Sequence, residues 1–465
     1  MIKKLIFDEG SFRDPAAKVA YFDDTVLRIV NSSGFKKFDF IEKILKEESV
    51  SKFLVKTEVV PLDKQYHLNL DKNNQTKVFQ HKKIEYISYP YEWSFNRLKD
   101  AALHHLKLHI NLLEQNATLI DAYSYNIQFN FYEPTFIDVM SIKEYSEGEF
   151  WAGHKQFCES FLNPLILKSK LGINFNNWFK GNLEGIDTKD LSKILKFRHF
   201  LSWNVFYNVF LLNYFEKKYK KNDDFKIAKN KKLKKSYYFS ILKNLVRFIE
   251  SLETKKEDTV WGEYSRKNTY DDEEIKNKKE FISKYFRENT INKVLDLGCN
   301  NGEYSKLALE SGCNSVVGLD YDLNAIDEAY INSKKEKLNF LPLYFDVSNP
   351  SSNIGWNQKE RKGFFERSKF DAILALAFEH HLAIAKNIPL SDVIEWITSL
   401  APEGIIEFVP KSDVTIQSML KLRGDIFPDY NLENFEKYLS TKANIISQKQ
   451  ISRSGRILFA YKNKI

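Results

Sequence analysis

The sequence predicts an α/β protein of two domains, with a doubly wound, mostly parallel sheet in the C-terminal part and an α+β domain ahead of it. Three observations carry that expectation. Short apolar runs alternate with amphipathic stretches in the C-terminal part, as strands and helices wound in turn require. A lysine-rich stretch at 216–235 interrupts the apolar periodicity, which places one domain at 1–215, a connecting segment at 216–258 and a second domain at 259–465. The 465 residues suffice for about two or three cores.

Composition excludes other classes. At 43% hydrophobic, 28% charged and 15% aromatic residues the chain is neither disordered nor fibrous. It has no apolar run of about 18 residues and no signal-peptide core near Met1, so the expected address is the cytosol. Cys158, Cys299 and Cys313 are too scattered for a disulfide framework or a zinc site, and no metal is expected.

In the first domain, Val19 to Ile29 reads as a hairpin and Lys37 to Glu47 as a helix. Asp121-x-x-x-x-Asn126, followed by Asp138 at a strand end, is a pattern that places a base and two metal ligands for phosphoryl transfer. With the hairpin and helix as a small lobe, the pattern resembles aminoglycoside-type and choline-type phosphotransferases. That resemblance implies a kinase-like α+β domain with Asp121 as base, Asn126 and Asp138 on magnesium, ATP as cofactor, and Tyr89-Pro-Tyr-Glu92 as a hinge. Leu119 stands where kinases commonly carry histidine, and there is no G-x-G-x-x-G loop, so Arg28 or Lys56 must serve as the phosphate cation. These departures point to a degenerate domain that binds the acceptor or a partner.

The net charge of +8 is concentrated: residues 216–235 hold ten lysines against Glu216, Asp223 and Asp224. Nucleic acid is therefore not an expected partner. The segment reads as a solvated linker, with peripheral membrane contact as the alternative. Just before it, Leu201 to Phe215 is the most apolar stretch, too short and too rich in asparagine to span a bilayer. It is expected as a core helix or as a helix lying in a membrane interface. From Tyr237 to Leu252, apolar residues at helical spacing predict an amphipathic helix leading into the second domain.

After a helix near Ile275 to Phe286, Val294-Leu-Asp-Leu-Gly-Cys-Asn-Asn-Gly-Glu reads as a buried strand opening through a glycine turn into a helix at Tyr304 to Leu309. Strands follow at Ser315 to Asp320, Phe340 to Asp346, Phe370 to Leu376 and Ile405 to Val409. Helices near Ala325 to Lys335 and Ser391 to Leu400 lie between them. Two closing strands, Ile445 to Ile451 and Arg456 to Tyr461, flank Ser452-Arg-Ser-Gly455. Ligands of such sheets bind at the carboxyl ends of the strands. Gly298 and Gly302 allow close backbone approach, Asp320 can accept from both ribose hydroxyls, and Asp346 can accept from an adenine amino group. Gly298-x-x-x-Gly302 has neither the spacing of a pyrophosphate-binding loop nor a phosphate-binding lysine, so the turn suits a nucleoside without phosphates.

The stretch Val294 to Gly302 resembles the first motif of class I S-adenosylmethionine-dependent methyltransferases, and Asp320 and Asp346 fall at the acidic positions of the second and third. This resemblance implies a Rossmann-like, seven-stranded domain. Asp296, Gly298, Asn300 and Gly302 would surround the methionine moiety, Asp320 the ribose and Asp346 the adenine. Asn300 replaces a common glycine, and asparagine tolerates left-handed φ. Tyr264 and Tyr270 precede the motif and are expected to close over the methionine end. In Asp371-Ala-Ile-Leu-Ala-Leu-Ala-Phe-Glu-His-His-Leu382, His380 or His381 is the expected general base, with Glu379 and Glu407 orienting the acceptor. Ile406 to Asp413, Arg423 to Tyr430 and Ser454-Gly-Arg456, with Ser88 to Trp93 and Trp151 to Cys158, are similar to a bacterial methyltransferase subgroup related to a nodulation protein.

The expected function is methyl transfer from S-adenosylmethionine to an oxygen or nitrogen of a small-molecule or glycan acceptor. The alternatives are a bifunctional kinase and methyltransferase acting on a glycan or lipid-linked hydroxyl, or a non-catalytic scaffold that binds S-adenosylmethionine.

Overall fold

The structure, a computed structural model, describes residues 5–61, 76–211, 213, 232–254 and 271–464. The chain divides into two compact units. The first takes in residues 1–255 together with 353–362, and the second holds the remainder.

The first unit begins with an antiparallel sheet of β1 (Ile6–Phe7), β2 (Ala17–Phe22), β3 (Thr25–Val30), β4 (Thr57–Val59) and β5 (Lys77–Lys82), in the order β1-β2-β3-β5-β4. The expected hairpin is β2–β3, turning at Asp23 with φ +53. The helix Phe35–Ile44 covers this sheet by stacking Phe38 on Phe79, ring centroids 3.9 Å apart. Ser94 caps a long helix, Phe95–Glu114, whose buried side includes His105 and His109. Two short ladders follow: β6 (Ala117–Leu119) with β9 (Ile142–Glu144), and β7 (Ile127–Asn130) with β8 (Glu133–Phe136).

The helix Lys235–Glu250 belongs to this unit and is not part of a linker. The Tyr238 hydroxyl lies 3.2 Å from Nε2 of His109, and Lys99 donates to the carbonyls of Glu250 and Leu252. Its apolar spacing was legible, but the partner of its buried face lies more than a hundred residues upstream. The stretch from Leu201 is not a core helix over its described residues: Trp203 is 71% exposed and Leu201 78%. No helix among the described residues is long and apolar enough to cross a membrane.

The second unit is a seven-stranded sheet of β10 (Lys293–Leu297), β11 (Ser315–Asp320), β12 (Phe340–Tyr344), β13 (Ala372–Ala375), β14 (Glu403–Phe408), β15 (Ala443–Gln450) and β16 (Ile457–Asn463). Its order is β12-β11-β10-β13-β14-β16-β15. The first five strands are parallel, and β16 inserts antiparallel between β14 and β15. The central strands are apolar on both sides, as strands covered by helices must be. The chain order reverses between β10 and β13, so the carboxyl ends of these strands form the crevice in which such sheets bind ligands.

Candidate active site

Three left-handed residues within five positions turn the chain from β10 into the helix Glu303–Glu310: Gly298 (φ +73), Asn300 (φ +48) and Gly302 (φ +87). Asparagine accommodates this conformation at the departure from the common glycine, as expected. A Cβ on Gly302 would stand 2.4 Å from the Phe340 ring, and one on Gly298 would stand 3.0 Å from Phe378. The turn thus keeps its backbone at the crevice because no side chain fits beneath it.

Asp320, closing β11, grips this turn: its Oδ2 accepts from the Asn300 amide at 2.9 Å and its Oδ1 from the Asp322 amide at 2.8 Å. The Tyr321 backbone also bonds this carboxylate, and with about four lone-pair sites on the group, capacity remains for a ribose hydroxyl. Burial raises the Asp320 pKa above its ordinary value, against the backbone donors. Asp346 accepts from the Ser348 amide and hydroxyl through Oδ1. Asp296 is buried beneath the turn, where Ser305 donates to its Oδ2 at 2.6 Å. Burial pushes its pKa up to about 7, with Ser305 opposing.

Tyr321, 59% exposed, stands with its ring 5.7 Å from Tyr344, and the two rings lie next in sequence to Asp320 and close to Asp346. The sequence reading missed this aromatic shelf, since a tyrosine just past a strand looks like ordinary surface. The left-handed turn, the two fixed carboxylates and the shelf fit S-adenosylmethionine: Asp320 for the ribose, Asp346 and the tyrosines for the adenine, and the turn for the methionine end. Tyr264 and Tyr270 lie outside the described residues.

Beyond β13, Ala377 adopts φ +48, a conformation alanine avoids, and the next residue, Phe378, packs at the glycine turn. Glu379 is fully buried; its Oε1 accepts from the Val409 amide at 3.0 Å and from the Tyr430 hydroxyl at 2.7 Å. His380 is also buried, with Nδ1 3.6 Å from Glu379 Oε2, and its ring lies 4.1 Å from that of His381. His381 is partly exposed. Burial holds its pKa well below the ordinary value, with His380 and Arg456 adding to the effect. A neutral imidazole offers one lone-pair nitrogen, as a proton acceptor must.

Glu407 on β14 is fully buried, ion-paired with Lys278 at 2.7 Å and with Arg456 at 3.6 Å. Arg456 in turn grips Asp413 through Nε at 2.7 Å and Nη2 at 3.0 Å. Burial works against the charge on Asp413, yet these contacts hold its pKa below the ordinary carboxylate value. Lys278 also lies over the Tyr304 ring at 4.6 Å. Glu407 therefore ties the helix Asp272–Glu288 to the β14–β16 edge rather than pointing a free carboxylate into the crevice. The sequence reading found Glu407 and missed Lys278, whose helical spacing shows only a buried position.

In the first unit, some of the residues named from the phosphotransferase pattern make local contacts, and none of these contacts identifies a kinase-like domain. Arg28 of β3 meets Asp138 at 3.1 Å, and the Asn126 carbonyl accepts from the Ile137 amide. Burial, and then Asp138, raises the Asp121 pKa, while Lys37 opposes. Lys56 instead pairs with Glu58 at the surface. Among the described residues no group of three histidine, cysteine, aspartate or glutamate side chains could hold a metal ion.

Comparison with known proteins settles the family. The profile described as "Methyltransferase domain" matches residues 267–439. Nodulation protein NoeA of Rhizobium meliloti (strain 1021) is 41% identical over 455 residues, spanning 97% of this chain and 95% of that protein. The chain belongs to the NoeA family. It is an S-adenosylmethionine-dependent methyltransferase, with that domain in its second unit. Among solved structures it is similar to the N-methyltransferase NodS from Bradyrhizobium japonicum WM9 in complex with S-adenosyl-L-homocysteine. That likeness is at 13% identity and TM-score 0.32, covering 45% of this NoeA-family chain and 100% of NodS. It is also similar to the PH0226 protein from Pyrococcus horikoshii OT3, at 19% identity and TM-score 0.32, covering 43% and 99%.

Proposed function

We propose that the second unit transfers a methyl group from S-adenosylmethionine, in the cytosol, to an oxygen or nitrogen atom of a small-molecule or glycan acceptor. One observation carries this reading: Phe378 packs within 3.0 Å of where a Cβ on Gly298 would stand, so the residue that leads into Glu379, His380 and His381 abuts the turn that would face the methionine end. When bound, the cofactor supplies an already electrophilic methyl carbon. The protein's task is then alignment and exclusion of water, with at most one proton to remove. Asp320 and Asp346 fix the nucleoside, Phe378 closes the turn, and His381, kept neutral by burial, takes the acceptor's proton. His380, tilted against it at 4.1 Å and beside Glu379, orients that ring.

Calorimetric titration with S-adenosylmethionine and its demethylated product, in parent and Asp320→Ala proteins, tests the cofactor site. A screen with labelled methyl groups over glycans and small hydroxyl or amino compounds tests the acceptor. Binding with no transfer to any acceptor would favour the scaffold reading and sink this one.

A second reading, phosphoryl transfer in the first unit from ATP with magnesium, is favoured by the meeting of Arg28, Asp138, Asp121 and Lys37. Magnesium-dependent ATP turnover that vanishes in Asp138→Ala, with methyl transfer intact, would establish it. Absence of ATP binding would leave the first unit as the acceptor- or partner-binding part.

A further inference from the structure

In the first unit, residues 197–211 form a succession of short helical turns whose outward side is apolar. Val205 and Val209 are fully buried and anchor the inner side, while Trp203, Tyr207 and Phe210, at positions i, i+4 and i+7, are 71%, 43% and 46% exposed. Phe197 at 83% and Leu201 at 78% extend the same patch from the preceding turn. The rings are not scattered: Trp203, Phe206, Phe210 and Phe200 touch in sequence at centroid distances of 5.5–5.8 Å. Such a run of exposed rings needs an occupant, because solitary surface apolar residues are common and contiguous ones are not.

Charge decides which occupant. Lys189, Lys193, Lys196 and Arg198, all exposed, stand on the helix and turn that lead into the patch, with Asp190 the only acid between Lys189 and Phe215. A Trp- and Phe-rich face bordered by cations matches a bilayer surface, where aromatic rings settle at headgroup level and lysines meet anionic phosphates. A second copy of this chain would set these cations against their like, which an anionic headgroup layer does not. We propose that this face docks the enzyme peripherally on an anionic phospholipid membrane, with Phe197, Leu201 and Trp203 entering the interface and the basic residues holding the headgroups.

The test is co-sedimentation of the full chain with vesicles of phosphatidylcholine alone and of phosphatidylcholine mixed with phosphatidylglycerol. It compares the parent with a triple variant, Phe197→Ser, Leu201→Ser and Trp203→Ser. These side chains are exposed, so the variant is expected to fold, and an unchanged melting temperature and cofactor affinity check this. The parent is expected to pellet with the anionic vesicles only and to be released by high salt, while the triple variant loses at least tenfold in partitioning. Three results overturn the proposal. One is no binding to anionic vesicles. Another is equal binding by parent and variant, which would assign the contact to lysines alone. The third is a parent dimer in sedimentation velocity that the triple substitution dissociates, which would make a second copy the occupant.

Discussion

The two units differ in which ionisable groups they bury most. The first packs neutral imidazoles among aromatic rings: His105 lies against Trp151, Phe157 and Phe161, and His109 against Trp151 and Tyr238. Burial drives His109 down to about 3 and His104 to about 4, and His105 well below its ordinary value. The second unit buries carboxyl groups beside its His380–His381 pair, either paired as Glu407 is with Lys278, or protonatable, as with Asp296 at about 7. Acid therefore acts with opposite sign on the buried imidazoles and on Asp296. As pH falls below 6.5, unfolded imidazoles take up protons that the folded ones refuse, so the first unit's stability is intact above that value and drains away toward about 3. For Asp296 the folded carboxyl protonates first. Its contribution is whole below 3.8 and is lost as pH rises through about 7.

The largest expected effect follows from this contrast. Between pH 7 and pH 4 the first unit should lose several kcal/mol, since one pKa unit is worth about 1.4 kcal/mol, while in the second unit the gain from Asp296 offsets part of the loss from His381 and the net change is smaller. Hydrogen exchange resolved by segment would show it, and an equal loss in both units would break the comparison. Next comes the paired kind of burial. Glu407→Gln leaves Lys278 and Arg456 short of their partner and should cost the second unit about 3–5 kcal/mol in urea unfolding. Replacing Lys278 and Glu407 together by Met and Leu should recover much of that, and failure to do so would show that the pair does more than neutralise itself.

A smaller effect separates binding from stability: Asp320→Ala should weaken S-adenosylmethionine binding about 100-fold in calorimetry, the worth of roughly two hydrogen bonds to a charged group. The first unit's exchange pattern should not move. The smallest is Ala377→Gly, which removes a left-handed alanine and should raise the second unit's stability by about 1 kcal/mol. A fall in methyl transfer despite that gain would mean the strained turn serves the histidine pair.

What was legible in the sequence is what rests on neighbours in the chain. The glycine turn announced itself because a buried strand, a loop and a helix start lie within ten residues. Asp320 and Asp346 followed because each closes an apolar run. The network of Lys278, Glu407, Arg456 and Asp413 was not legible, since Lys278 and Glu407 are 129 positions apart and neither position alone names its partner. The same holds for the Tyr321 shelf and for Ala377, whose dihedral no residue type betrays. Periodicity placed the helix Lys235–Glu250 within two residues but could not say which core it would join.

The segment 353–362 has a consequence for how the molecule is made. It lies between β12 and β13 in the chain yet belongs to the first unit, where Glu360 receives Arg13 through two hydrogen bonds, at 2.9 and 3.0 Å, across 347 positions. Lys359 reaches Glu9, and Arg361 lies over the ring of Tyr125 at 4.9 Å. A ribosome finishing residue 255 has therefore not delivered the whole first unit. Its N-terminal turn waits unclasped until three strands of the other sheet have emerged, so a nascent chain stalled before residue 353 should expose that turn to protease and one stalled well beyond residue 362 should not.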